Sequence, residues 1–351
     1  MDASPLPGPR GRGASGNLEN RFTRLSIESE VPPPDRVETI FYTDTTRGIL
    51  ARNDSPDVGF SVSLNPYRGC EHGCIYCFAR PTHEYLGLSA GLDFETRIFV
   101  KEDAPELLRQ ELSKRSYEPE VIAISGVTDP YQPVERRLEI TRRCLAVLAE
   151  FRNPVAVITK NALVARDVDH LASLALHQAA LVCLSITTLD PDVARVMEPR
   201  ASHPRDRLAA LAKLSAAGVP CAVLAAPMVP GLTDHELPAI LTAAAEAGAR
   251  SAHFIPLRLP GAVAGLFEQW LEEHFPDRKD KVLNRIRGMR GGRLNDPRFG
   301  SRMKGEGIFV EQMEALYQTT CRRLGLSDRN YELSTAAFRR PGPAQLDLFG
   351  G

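Results

Sequence analysis

Six short runs of strand character recur through the middle of this 351-residue chain, separated by stretches of amphipathic helical periodicity. The strand runs are Gly59–Asn65, Val121–Ser125, Val155–Thr159, Ala180–Ile186, Pro220–Ala226 and Ser251–Leu257. Helices are predicted over Val134–Phe151, Ala162–His177, Arg205–Ala217, Asp234–Ala247 and Val263–His274, with Gly218 and Gly248 where C-caps are expected. This alternation specifies parallel βα units, because parallel neighbours need a crossover connection. Six units are too few to close an eight-stranded barrel. A smaller strand, Arg97–Val100, and a helix, Ala104–Lys114, read as an insertion after the first unit's loop. The chain thus divides into an N-terminal arm and wrapping segment (1–56), an α/β barrel (57–275), a basic helical extension (276–338) and a flexible tail (339–351).

Composition excludes several classes. A hydrophobic content of 43% with 25% charged residues is ordinary for a soluble globular chain, and no apolar run reaches membrane length. Met1–Ser15 is rich in Pro, Gly and Arg without an apolar core, so it reads as a disordered basic arm rather than a secretory signal. Seven cysteines, three of them clustered, fit a reducing cytoplasm. Cys144, Cys183, Cys221 and Cys321 lie in apolar or amphipathic stretches and read as small buried hydrophobes. The net charge of −1 conceals one uneven region: Asp277–Lys304 holds ten Lys/Arg against three Asp. That run is either a solvated helical face or a footprint for phosphate.

The loop after the first strand carries Cys70-x3-Cys74-x2-Cys77, within Asn65-Pro-Tyr-Arg-Gly-Cys-Glu-His-Gly-Cys-Ile-Tyr-Cys-Phe78. Three close thiolates can hold three irons of a [4Fe–4S] cube, and no fourth cysteine stands nearby, so the fourth iron is open to a non-protein ligand. A zinc site would need a fourth ligand, for which His72 is the nearest choice, and a disulfide would strand one thiol. The spacing resembles the radical S-adenosylmethionine enzymes. That resemblance implies an open partial (β/α)6 barrel of TIM type, a [4Fe–4S] cluster on Cys70, Cys74 and Cys77, and S-adenosylmethionine held by its methionine end. It also implies reductive cleavage of that cofactor to a 5′-deoxyadenosyl radical, with an external electron donor.

Polar groups recur where the strands end: Ser125-Gly-Val-Thr128-Asp129-Pro-Tyr131-Gln-Pro-Val-Glu135, Thr159-Lys160-Asn161, and Ser185-Ile-Thr-Thr188 with Glu198-Pro-Arg200 further on. Each alone could be a helix cap or a surface residue. Their recurrence after successive strands favours one shared site. Together with Asn65–Cys70, these motifs resemble the spore photoproduct lyase-like branch, often labelled DNA repair photolyases. The resemblance implies that Tyr76 packs by the adenine and that Thr128, Lys160 and Ser185 contact the cofactor. Two departures stand out: Gly126 occupies the place of the lyases' hydrogen-donating cysteine, and Phe78 that of a tyrosine. Tyr131 is the candidate to finish the reaction, on the expectation that it lies at the barrel mouth.

The tail ends Arg339-Arg-Pro-Gly-Pro-Ala-Gln345-Leu346-Asp347-Leu348-Phe349-Gly-Gly351. Gln345–Phe349, behind a Pro/Gly tether, resembles the motif by which bacterial polymerases and repair proteins bind the sliding clamp. The expected partners are therefore DNA, with RNA as an alternative, and a sliding clamp, with no membrane. Competing readings are radical modification of RNA or protein, and a non-catalytic iron–sulfur redox module.

Overall fold

The computed structural model describes residues 8–22, 36–327 and 331–341. Its ten strands are β1 (Ile40–Thr43), β2 (Leu50–Arg52), β3 (Val62–Leu64), β4 (Tyr67–Arg68), β5 (Arg97–Val100), β6 (Ile122–Ile124), β7 (Val155–Thr159), β8 (Ala180–Ser185), β9 (Cys221–Met228) and β10 (Ser251–Pro256). The large sheet has the order β10-β9-β8-β7-β6-β3-β2. From β3 to β10 all neighbours are parallel, and β10 does not pair back onto β3. This is the open six-stranded partial barrel, with β2 added antiparallel on the β3 edge. A second, small sheet, β1-β5-β4, joins the N-terminal segment to the predicted insertion.

The parallel strands are short and apolar because both faces are covered. Every residue of β8 is buried, and Val155, Val157, Val182, Leu184 and Val223 form one core with Leu145, Leu148, Leu211, Leu214, Ile240 and Leu241 of the crossover helices. The helix expected over Val134–Phe151 is broken at Glu139, which adopts φ 52°, giving Glu135–Leu138 and Ile140–Phe151. The break lets the Glu135 carboxylate accept from the amides of Thr141 (3.1 Å) and Arg142 (3.3 Å), capping the second helix. Likewise the stretch after β7 begins as a 3-10 turn, Ala162–Asp167, before the helix Val168–Ala175.

The N-terminal arm departs from its expectation. Residues 8–22 lie against the protein, and Gly13 and Ala14 are buried. Their amides donate to Glu95 (3.0 and 2.9 Å), and the Ser15 hydroxyl donates to Glu273. A buried acceptor there outcompetes solvent for these backbone groups.

The basic run is also altered by tertiary context. It forms the helix Pro276–Met289 and the loop before helix Ile308–Leu324. Lys279 pairs with Glu272, Arg285 with Asp234, Arg287 with Glu268, Arg298 with Asp296 and Glu306, and Arg302 with Asp57. Among the described residues Arg278, Lys281, Arg290, Arg293 and Lys304 keep no carboxylate partner. Half of the run's basic side chains are therefore ion-paired. No described helix is long and apolar enough to cross a membrane. The motif Gln345–Phe349 lies outside the described residues.

Candidate cluster and cofactor site

The cysteine loop leaves β4 and is held by its backbone on every side. The Cys70 amide donates to the Phe94 carbonyl (2.9 Å), the Ile75 amide to the Met197 carbonyl (3.2 Å) and the Arg200 amide to the His72 carbonyl (3.1 Å). The Thr128 hydroxyl and Gln132 side-chain amide both donate to the Gly69 carbonyl (2.6 and 3.3 Å). Gln132 accepts from the Glu71 amide (2.9 Å), Glu71 accepts from the Val134 amide (2.8 Å), and the Tyr67 hydroxyl donates to Glu135 (2.5 Å). The motifs Asn65–Cys70 and Thr128–Glu135 are two halves of one clamp. Underneath, Arg80 is wholly buried and donates to the carbonyls of Gly73, Cys74, Ala90 and Gly91 and to Glu95. Gly69 and Gly73 turn at φ 81° and 68°, where a Cβ would come within 2.8 Å of His83 and 2.7 Å of Glu95 respectively.

Cys70 and Cys74 are buried and Cys77 is partly so. Burial above all, and then the neighbouring Asp129 and the other two thiols, pushes the Cys70 thiol well above its ordinary range. Burial does the same for Cys74, with Glu198 adding to it, and raises Cys77. Cysteine ligates metal as the thiolate, so taking up iron releases protons.

Around this loop the strand ends form a charged rim. Lys160, after β7, reaches across β8 to donate to the Ala226 carbonyl in β9 (3.1 Å), and its ammonium stands 5.7 Å from the Tyr76 ring centroid. The Tyr76 hydroxyl donates to Glu198, which is paired with Arg207 in full burial. Arg207 also donates to the carbonyls of Ser185 (2.9 Å) and Ser202 (2.8 Å), fixing the end of β8. Burial alone would raise the Glu198 carboxyl, but Arg207 and Lys160 outweigh it and hold it at about 2. Asp129 is partly exposed; burial would raise its carboxyl, but His72, the Thr159 hydroxyl and the Lys160 amide hold it at about 2. His72 lies with Nδ1 3.4 Å from Asp129 and Nε2 3.1 Å from the Asn161 amide nitrogen. It braces two strand ends.

A family model for the radical SAM superfamily matches residues 64–244, just over half of the chain. The chain belongs to the radical SAM superfamily. An uncharacterized protein of Mycobacterium tuberculosis is 38% identical over 220 residues, covering 62% of this chain and 65% of that relative's own length. An uncharacterized protein of Methanocaldococcus jannaschii is 25% identical over 227 residues, covering 65% of this chain and 81% of the relative. Spore photoproduct lyase complexed with dinucleoside spore photoproduct shares the fold at a TM-score of 0.59 and 15% identity, over 82% of this chain and 80% of the lyase. A variant of that lyase with bound AdoMet and the same dinucleoside matches equally, at a TM-score of 0.59 and 16% identity over 82% and 80%.

Membership in the radical SAM superfamily implies a [4Fe–4S] cluster and S-adenosylmethionine, and the residues present fit both. Among the described residues no three His, Cys, Asp or Glu side chains gather as ligands of one ion, the loop thiols included. A cube does not need that, since each cysteine takes a different iron. The three thiols stand on one loop folded tightly by Gly69 and Gly73, with the Lys160 ammonium acting on Cys74 and Cys77, which suits a cluster with a carboxylate-bearing ligand beside it.

The structure brings Tyr76, Lys160 and Ser185 to one rim beside Cys70, Cys74 and Cys77. Thr128 is there too, but its hydroxyl proton is directed to the loop carbonyl of Gly69. Tyr131 is not with them. It is wholly buried and its hydroxyl donates to Asp167 (3.0 Å), which pairs with Arg142 and Arg166. The turn in which the Tyr131 amide donates to Asp129 (2.9 Å) sends the ring into the core instead of the mouth. Sequence reasoning also missed Arg80, Glu95 and Arg207. Arg80 follows the last cysteine by three residues and gave no signal, whereas Glu198 was visible in Glu198-Pro-Arg200 without its partner.

Proposed function

We propose that this chain is a radical SAM enzyme that acts on DNA, in repair or modification. The observation that carries the enzyme reading is the rim: the Lys160 ammonium over Tyr76 and within electrostatic reach of Cys74 and Cys77, at the C-terminal ends of parallel strands. Cys70, Cys74 and Cys77 would hold the cluster, Lys160 would pair with the cofactor's carboxylate, and Tyr76 would pack by its adenine. When bound, these groups supply a 5′-deoxyadenosyl radical for hydrogen abstraction. The chain's own part is to orient and exclude: Glu198 and Arg207 lock the Tyr76 hydroxyl, and the clamp of Thr128, Gln132 and Glu135 holds the cysteine loop still.

DNA as substrate is supported by the fold shared with a lyase solved on a dinucleoside photoproduct. The tail motif Gln345–Phe349 supports it independently, as a tether to a sliding clamp. A thiol-relayed lyase reaction is not supported. Gly126 sits at φ 126°, a conformation that a cysteine rarely adopts, and no cysteine lies between Ile122 and Arg143. The test is anaerobic turnover with S-adenosylmethionine and oligonucleotides deuterated in the sugar and base. Deuterium in the released 5′-deoxyadenosine supports DNA. Transfer only from RNA or from peptide would overturn the DNA assignment, and no cofactor cleavage by the reconstituted protein would overturn the enzyme reading.

A further inference from the structure

Two phenylalanines are left open at the mouth, and each lies under an arginine. Phe78, directly after Cys77, is 51% exposed, with the Arg258 guanidinium 5.0 Å from its ring centroid. Phe299, in the loop of the C-terminal extension, is 61% exposed, with the Arg302 guanidinium 4.4 Å from its centroid. The two pairs are bolted together by Arg290. Its buried guanidinium donates to the carbonyls of Pro256 (3.1 Å) and Leu257 (2.9 Å), next to Arg258, and to the carbonyl of Arg302 (3.0 Å). Arg302 is further fixed by its ion pair with Asp57. Arg258 is different: it is half-buried and has no carboxylate partner among the described residues. Burial, and then the charge of Arg302, lowers its proton affinity, with Asp57 opposing. A partly desolvated cation with no anion of its own is a standing cost that an incoming phosphate would relieve.

We propose that Phe78, Arg258, Arg302 and Phe299 form a stacking shelf for an unpaired strand of nucleic acid, with ring faces for bases and Arg258 for a phosphate. The inference rests on the nucleic-acid reading above and adds to it how the substrate is presented. Stacked aromatics interleaved with arginines bind bases through their π-faces without regard to sequence. A paired duplex keeps its bases in the stack, so the shelf takes single-stranded or extruded bases only. Its first ring adjoins the cluster loop, which puts a stacked base at the threshold of the cofactor rim.

The test is fluorescence anisotropy of a labelled 12-nucleotide single strand and of the same sequence as duplex, on the full chain with its cluster reconstituted. The expected result is preference for the single strand, and binding roughly tenfold weaker in Phe299→Ala. Arg258→Gln should weaken binding and flatten its salt dependence. Phe299 is a surface residue outside the rim, so cofactor cleavage without substrate should be unchanged in Phe299→Ala, which confirms folding. Wild-type affinity in both Phe299→Ala and Arg258→Gln would overturn the shelf while leaving the nucleic-acid reading intact. Equal affinity for duplex would also overturn it. No binding of either strand form by the wild-type protein would overturn the shelf together with the reading it rests on.

Discussion

Replacing Arg80 with methionine should expose how the cysteine loop is held. Arg80 is wholly buried and donates to the carbonyls of Cys74 (3.0 Å), Gly73 (3.2 Å), Ala90 (3.2 Å) and Gly91 (3.0 Å), and to the equally buried Glu95 (2.5 Å). Methionine keeps the volume of the stem and none of the donors. Removing one member of a buried ion pair costs about 3–5 kcal/mol, because the other charge is stranded. Glu95 would retain the amides of Gly13 and Ala14, so the low end, about 3 kcal/mol, is expected. Urea unfolding of the metal-free protein, followed by the fluorescence of its single tryptophan, Trp270, reads this directly. Adding Glu95→Gln should restore at least about 1 kcal/mol, since the stranded charge is gone. A destabilisation under about 1 kcal/mol in Arg80→Met, or a double variant no better than the sum of the singles, would refute the reasoning.

Cys70→Ala, Cys74→Ala and Cys77→Ala should each abolish a reconstituted four-iron cluster, whereas Cys144→Ala, Cys183→Ala, Cys221→Ala and Cys321→Ala should retain it, as iron content and visible absorbance will show. Lys160→Ala should weaken S-adenosylmethionine binding by roughly 1.5–3 kcal/mol in equilibrium dialysis, with iron content unchanged. Glu198 is held near 2 in the folded chain against an ordinary 4.5, so its contribution to stability is complete above about pH 4.5. It is lost as pH falls through about 2, because there the unfolded chain binds the proton first. The acid limb of the urea midpoint should therefore be shallower in Glu198→Gln, and an unchanged limb would contradict the assignment. Leu348→Ala with Phe349→Ala should abolish binding of the terminal peptide to a bacterial sliding clamp in calorimetry, and absence of binding by the unmodified peptide would remove the clamp from the proposal.

Much of the architecture was legible because its signals are local. Fully apolar runs such as Ala180–Ser185 bounded by turns announce parallel strands, and three cysteines within eight residues announce their chemistry whatever surrounds them. The first strand was predicted longer than Val62–Leu64, and the Val134–Phe151 helix was predicted whole. The helix breaks where the Glu135 side chain turns back to cap the helix at Ile140.

The sequence by itself determined the six-unit alternation, the cysteine loop after the first strand, and a lysine and a serine where the third and fourth strands end. Those follow from periodicity and short-range spacing, which a linear pattern carries in full. Only the tertiary structure decided that Tyr131 faces the core, that half of the basic run is paired with acids, and that residues 8–22 pack against the barrel. It alone joined Arg80 to Glu95, and Glu198 to Arg207 and Tyr76. The physical reason is that a buried charge takes its meaning from the partner that neutralises it. Here the partners arrive from other elements, and no spacing along the chain records which ones will meet.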